Sequence, residues 1–473
     1  MFRRLPAGLP ADPVFPADLK KLGYYVAPND EIRSTSNPKA YFKYFLTRND
    51  RHNAMQREAM NGAIRNIISE RLEDLGLEKL LLPLGAKPNE PSLPIFISRD
   101  LPIKKRVVIL FYEHDQDLGV LAYRIIGGKG GINEGSAVNL VKYIQAQRTS
   151  PEDASSPGII LANMGQLRWS HLAKKAMTQP IWLALPQKSA VEAPYRFDDE
   201  ANSIPENRNT GEHVEYIFYT VVQKLCHPAA KLDIIGVSDG AVQVFQFLDD
   251  FTNFTTWAPR VSAFAAVACW CRAKDIRNDD FAHWLMDRGR AYATSDKLCG
   301  LFLAGPKGKK HLPGHGCPVF SLGEPHFSEM MLPKGYKVII DWFQEVAGDP
   351  DYANPEMRNE TRDMNGNIVD SDDEDEPEDR KGWKAEDFEE WVPLDEQKGV
   401  VLEEIKGEDE ESKVTLDTKE NVPDNARTKG LPILSKKSEE SKEMPEGKGG
   451  EQEEKEVQPV VKEIAGNGAE DGA

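Results

Sequence analysis

Ser238 is the residue from which chemistry could start in this chain. Residues 232–241 read Leu-Asp-Ile-Ile-Gly-Val-Ser-Asp-Gly-Ala, so the serine stands in a G-x-S-x-G spelling between Gly236 and Gly240. An apolar run leads into it, and a helix-like stretch, 242–248, follows at once. Strand, tight turn and helix in that order make the setting of a nucleophilic serine. The serine must sit on a strained turn, and glycines remove side chains where strand and helix crowd it. The helix N-terminus then offers N–H groups to a developing oxyanion. The competing reading is an ordinary strand–helix turn in some other α/β sheet.

A nucleophile needs a base and an acid, which α/β-hydrolases supply in the chain order Ser, acid, His. His326, in Gly323-Glu324-Pro325-His326-Phe327, follows the last strand and precedes the last helix, the place of the base. It could equally be a loop histidine beside that helix. Asp296, at the end of a strand region, is the candidate acid; Asp275, Asp279 and Asp280 follow another strand and stay open. Such carboxylates also serve as helix caps. The oxyanion position falls to His114, after an apolar strand, and to Asp239, next to the nucleophile. Glu113-His114-Asp115-Gln116-Asp117 is acidic and lacks a glycine pair. An oxyanion site wants donors, so this loop weighs against turnover.

The elements that must position these residues alternate between strands and helices. Segments 94–98, 106–112, 157–163, 232–235, 261–269, 291–295 and 318–322 read as strands, several apolar almost throughout. Segments 51–76, 136–148, 211–226, 242–248 and 280–288 read as helices, and 337–343 lies in a final one. The pattern predicts an α/β fold: an α/β-hydrolase-like, mostly parallel sheet with helices on both faces. Aromatic-rich Ala40–Leu46 reads as a further strand. The glycine cluster 127–131 lacks the P-loop order and reads as a flexible turn. Three parts are expected: an N-terminal extension over 1–92 packed on the domain, the hydrolase-like domain over 93–347, and a disordered acidic tail over 348–473.

The net charge of −18 belongs to that tail. Residues 348–473 hold about 39 acidic and about 17 basic side chains, which leaves residues 1–347 at about +4. No apolar run is long enough to span a membrane, and the N-terminus lacks a signal-peptide core. The reading is a soluble protein of the nucleus or cytoplasm, not secreted. Five scattered cysteines (226, 269, 271, 299, 317) give no C-x-x-C pair, so neither a disulfide framework nor a structural zinc site is expected. No cofactor and no metal are expected. The short basic runs Lys104-Lys105-Arg106 and Lys307-Gly308-Lys309-Lys310 read as solvated turns rather than as contacts to RNA phosphates.

Several stretches together resemble the Argonaute-binding-protein-two domain family. It includes a subunit of the fungal Argonaute siRNA chaperone complex and vertebrate cotranscriptional regulators. The matching pieces are Phe15-Pro16 with Leu22-Gly23-Tyr24, Asn49-Asp50-Arg51-His52-Asn53 with Gln56-Arg57-Glu58, and Leu75-Gly76-Leu77-Glu78-Lys79 with Leu82-Pro83. The 106–112 strand, 158–163, the Ser238 turn and 323–326 complete the likeness, over roughly residues 15–346. It implies a hydrolase-like domain used in small-RNA biology, heterochromatin formation or nuclear gene regulation, with an Argonaute as partner and small RNA reached through it. Relatives often read His-Ser-x-Gly-Gly at the turn; here Val237 and Ala241 replace the His and the last Gly. Trp383, after Gly382, and Trp391 stand in the acidic tail and could serve as partner-binding anchors for the tryptophan pockets of an Argonaute. They could also fold back on the chain's own domain.

The leading expectation is a regulatory or interaction subunit, non-catalytic or weakly so. The alternative is a serine esterase acting on a small ester or amide with Ser238 and His326. A third possibility is a domain that binds an acyl ligand without turnover.

Overall fold

The computed structural model describes residues 11–357 except Ala190, Val191 and Pro194, together with Glu360–Arg362 and Ile368–Asp370. Trp383, Trp391 and most of the acidic tail lie outside the described residues.

The sheet has nine strands: β1 (Leu77–Leu82), β2 (Leu93–Ser98), β3 (Arg106–Phe111), β4 (Gly158–Leu161), β5 (Lys231–Val237), β6 (Val261–Val267), β7 (Gly289–Ala293), β8 (Phe302–Ala304) and β9 (Val319–Ser321). Across the sheet the order is β8-β9-β7-β6-β5-β3-β4-β2-β1. From β4 to β9 every pair is parallel; β2 runs antiparallel to β1 and to β4, and β8 antiparallel to β9. Apart from the added β8, this is the strand order of α/β-hydrolases, reversed second strand included. A boundary at residue 92 would fall between β1 and β2, so the segment before it supplies the sheet's first strand.

Alternation along each strand divides its side chains between two cores. Val108 and Leu110 of β3, with Ile235 and Val237 of β5, face one core; α1 (Asp50–Asp74), α2 (Ala137–Gln145) and α7 (Ser328–Gly348) cover it. Val107, Ile109 and Phe111, with Leu232 and Ile234, face the other. There they meet α3 (Thr210–Leu225, widened to a π-type turn over Ile217–Val222), α4 (Asp239–Asp249), α5 (Phe251–Trp257) and α6 (Asp279–Arg288). Strands covered on both faces need apolar residues throughout, and all six residues of β3 are buried. Phe218 of α3 lies between Phe111 and Phe247, at centroid distances of 6.0 and 4.4 Å, and fixes the seat of α4. Each such buried side chain contributes about 1.5–3 kcal/mol.

The helix starts follow the sequence signals. Asn49 accepts hydrogen bonds from the Arg51 and His52 N–H groups, Ser136 accepts from Val138, and Asn278 from Asp280 and Phe281. Ala40–Leu46 is not a strand. The short hairpin lies instead at Tyr24–Val26 and Ile32–Ser34, and Phe42 packs its ring against Tyr24 and Tyr44. Phe42 is buried by packing, Tyr41 and Tyr44 are half-buried and Phe45 is exposed, and no neighbouring strand takes their backbone. The glycine turn 127–131 is tightly packed: a Cβ on Gly131, whose φ is +82°, would sit 2.4 Å from the Asp30 carbonyl oxygen. Among the described residues no helix is long and apolar enough to cross a membrane.

Candidate active site

β5 ends at Val237 and α4 begins at Asp239, so one residue makes the whole turn. That residue, Ser238, has φ 51° and ψ −116°, a strained conformation that costs a non-glycine residue about 1–3 kcal/mol. Its N–H donates to the Val267 carbonyl of β6 at 2.9 Å, and its carbonyl accepts from Val242 at 3.1 Å. The glycines do what their spacing implied. A Cβ on Gly236 would lie 2.5 Å from the Ala241 Cα, and one on Gly240 would lie 2.2 Å from the Phe111 carbonyl oxygen. The turn is thus wedged between the ends of β3 and β6.

Ser238 is half-buried, and no side chain among the described residues hydrogen-bonds its hydroxyl. His326 is exposed. Its ring makes an edge-on contact with Phe327 (centroids 6.1 Å apart) and no hydrogen bond among the described residues. Asp296 is 78% exposed and stands 3.9 Å from Lys297 Nζ. Each follows the strand that the hydrolase order assigns it, β9 for His326 and β7 for Asp296. Yet no hydrogen bond or ion pair joins Ser238, His326 and Asp296.

Beside the serine turn, the imidazole that meets a carboxylate is His114. Its Nδ1 meets Asp239 Oδ2, and its Nε2 lies 3.5 Å from Asp115 Oδ2. The hydrogen bond to Asp239 raises the His114 pKa above its ordinary value, with Asp115 and Glu113 adding to the effect. The two residues expected at the oxyanion position therefore bind each other, because the loop after β3 lies across the first turn of α4.

The other acids of that loop are distributed among partners. Asp117 turns inward to Arg65 at 2.8 Å, Tyr123 at 2.6 Å and Gln166 at 3.1 Å. Asp115 accepts from the Gln179 N–H at 3.2 Å and lies 3.7 Å from Arg168. Glu113 stays beside Glu329 and Asp239, and burial followed by those two charges raises its pKa.

Sequence reading missed Glu324. It is 3% exposed and accepts from the His326 N–H at 2.8 Å and the Phe327 N–H at 3.0 Å, while its other oxygen pairs with Lys334. Burial pushes its pKa up, but Lys334 and the two N–H groups outweigh that and hold it below the usual value. Glu324 thereby sets the backbone of the His326 loop without touching the ring. Its place two residues before His326 was the available signal.

A cavity of about 10 Å³, room for about one water, lies behind the loop against Tyr112, Glu113, Asp117 and Asn163. A larger groove of about 550 Å³ runs between α1 and residues 175–186. Neither is lined by Ser238, His326 or Asp296. Among the described residues no group of three or more His, Cys, Asp or Glu side chains could hold a metal ion.

The strand order and the strained serine turn define an α/β-hydrolase fold. Within that class, the Arb2 domain model matches residues 15–299, and the chain belongs to the Arb2 domain family. No curated protein matches the chain. Among solved structures it is similar to the esterase LipW from Mycobacterium marinum, with 12% identity, 49% of this chain and 55% of that one covered, and a TM-score of 0.25. It therefore spans about half the length of that esterase. It is also similar to carboxyl esterase 2 from Tuber melanosporum (9% identity, 57% and 87% covered, TM-score 0.28) and to esterase Est22 (10% identity, 63% and 91% covered, TM-score 0.28).

Proposed function

We propose that the chain is an interaction subunit in which the serine turn is architecture, with an Argonaute protein as its partner in small-RNA-directed gene silencing. The observation that carries this is the unpartnered Ser238 hydroxyl. A serine is a weak nucleophile until a base within hydrogen-bond reach takes its proton. His326, which hydrolase topology assigns to that task, stands in solvent without an orienting carboxylate. The surroundings of the turn also carry the wrong charge. Burial first, then the charges of Glu329 and Asp239, raise the pKa of Glu113 there, whereas a tetrahedral oxyanion is stabilised by donors. Membership of the Arb2 domain family supports Argonaute as the partner. In this reading Trp383 and Trp391 are the candidate anchors, small RNA is held through the partner, and the site of action is the nucleus. The segments 1–92, 93–347 and 348–473 serve as extension, platform and partner-reaching tail.

The alternative, a serine esterase for a small ester or amide, is favoured by the retained strain at Ser238. A turn with no chemical duty has no need of a serine at φ 51°. Fluorophosphonate labelling of wild type and Ser238→Ala, beside pull-down of a purified Argonaute, separates the readings. The expected outcome is no labelling of the folded protein and Argonaute capture that weakens on Trp383→Ala with Trp391→Ala. Labelling lost in Ser238→Ala, with turnover of a nitrophenyl ester and no capture, would establish the esterase instead.

A further inference from the structure

The segment after β6 presents two thiols in a rigid frame. Ala268, at φ 50°, turns the chain out of the strand, and its N–H donates to the Tyr292 carbonyl at 2.9 Å. Five residues on, the Ala273 N–H donates to the Gly314 carbonyl at 2.9 Å, and His315 Nδ1 bonds the Cys271 carbonyl at 2.7 Å. Cys269-Trp270-Cys271 is held between these anchors. Trp270 projects outward, 78% exposed, and both cysteines are free and half-buried.

A backbone donor is aimed at one of the sulfurs: the Cys271 N–H lies 3.3 Å from Cys269 Sγ. Donors aimed at a sulfur favour its thiolate, which is the reactive form. The thiol hydrogen bond from Cys271 lowers the Cys269 pKa more than burial raises it. Cys226 and Cys317, by contrast, are buried thiols raised by desolvation.

We propose that Cys269 and Cys271 form a reactive dithiol that a peroxide closes reversibly into a disulfide across Trp270. The Cys269 thiolate attacks one peroxide oxygen; the O–O bond breaks, giving a sulfenic acid and releasing hydroxide. Cys271 sulfur then attacks Cys269 sulfur, the S–O bond breaks, and the departing hydroxide takes the Cys271 proton as water. Two thiols lose two electrons and one peroxide becomes two waters. Two residues of chain span at most about 7 Å, so the Cα atoms start near the separation that a disulfide requires. A ring closed over a single intervening residue is strained, and strained disulfides are the readily reduced ones. The proposal is independent of any role for Ser238, although the segment starts directly after Val267, whose carbonyl clamps the serine turn.

Trypsin releases Val261–Arg272, which contains both cysteines and no others. The reduced full chain is treated with hydrogen peroxide, blocked with N-ethylmaleimide, digested and weighed. The expected main form of this peptide lacks two hydrogens and carries no maleimide, and dithiothreitol restores it. Cys271→Ser should stop at a sulfenic acid on Cys269 that dimedone traps. The wild-type measurement stands even if that variant fails to fold. Both cysteines still carrying maleimide after peroxide, or Cys269 joined to Cys299 or Cys317 instead, would overturn the proposal.

Discussion

Ser238 and the loops bearing His326 and Asp296 lie at the same C-terminal edge of the sheet, yet different forces hold them. The serine is fixed by backbone: hydrogen bonds to Val267 and from Val242, and two glycines packed into contact with Phe111 and Ala241. The backbone of the His326 loop is held by Glu324, but the His326 ring and the Asp296 carboxylate accept or donate no hydrogen bond among the described residues, and both are exposed. A strand–turn–helix junction therefore keeps hydrolase shape as long as its sterics hold. A triad is a matter of a few loop side chains and can come apart while the shape remains.

The comparison breaks first where the frame of the turn is buried. Arg106 Nε donates to Asp233 Oδ2 at 2.6 Å beneath β5, and its Nη1 reaches the Arg148 carbonyl at 2.9 Å and Gln344 at 3.1 Å. Both partners are nearly inaccessible, and desolvation raises the Asp233 pKa despite the guanidinium beside it. Arg106→Met leaves that carboxylate unpaired and should cost about 3–5 kcal/mol in urea unfolding. Gly240→Ala should cost about 3 kcal/mol in the same assay, since the Phe111 carbonyl must retreat from the new Cβ.

Acid offers a third way in. His213 is fully buried on α3; its Nε2 accepts from the Asn163 N–H at 3.1 Å, and Nδ1 pairs with Asn207 at 2.7 Å. Burial depresses its pKa to about 3. Below about pH 6.5 the unfolded chain takes a proton that the folded chain refuses. Stability should therefore fall as pH drops, by about 2 kcal/mol between pH 6.5 and 5, and His213→Gln should flatten that slope in thermal or urea unfolding.

The smallest effects sharpen the contrast most. Ser238→Gly relieves the backbone strain and should gain about 1 kcal/mol of stability, whereas His326→Ala should stay within about 0.5 kcal/mol of wild type. A destabilised Ser238→Gly would mean that the hydroxyl makes a bond worth more than the strain. A large loss in His326→Ala would mean that the rim is as tightly built as the turn.

The elbow was legible because its causes are local. The apolar run of β5, the two glycines and the helix-forming 242–248 are adjacent in sequence and require one another. The buried strands were legible too, since β3 and β6 must be apolar on both faces. Ala40–Leu46 misled because aromatics mark burial, and burial does not by itself supply a strand to pair with. The strands β1 and β8 escaped because Glu78 and Lys79 interrupt the leucines of the first and the second is only three residues long.

The sequence by itself thus determined the alternating strands and helices, the strained serine and the acidic composition of residues 348–473. These follow from periodicity, sterics and charge within short windows. Only the tertiary structure decided that His114 pairs with Asp239, that Asp117 is neutralised by Arg65, and that Ser238 meets neither His326 nor Asp296. Those outcomes depend on where loops tens to hundreds of residues apart cross, a distance over which a linear pattern of side chains carries no geometry.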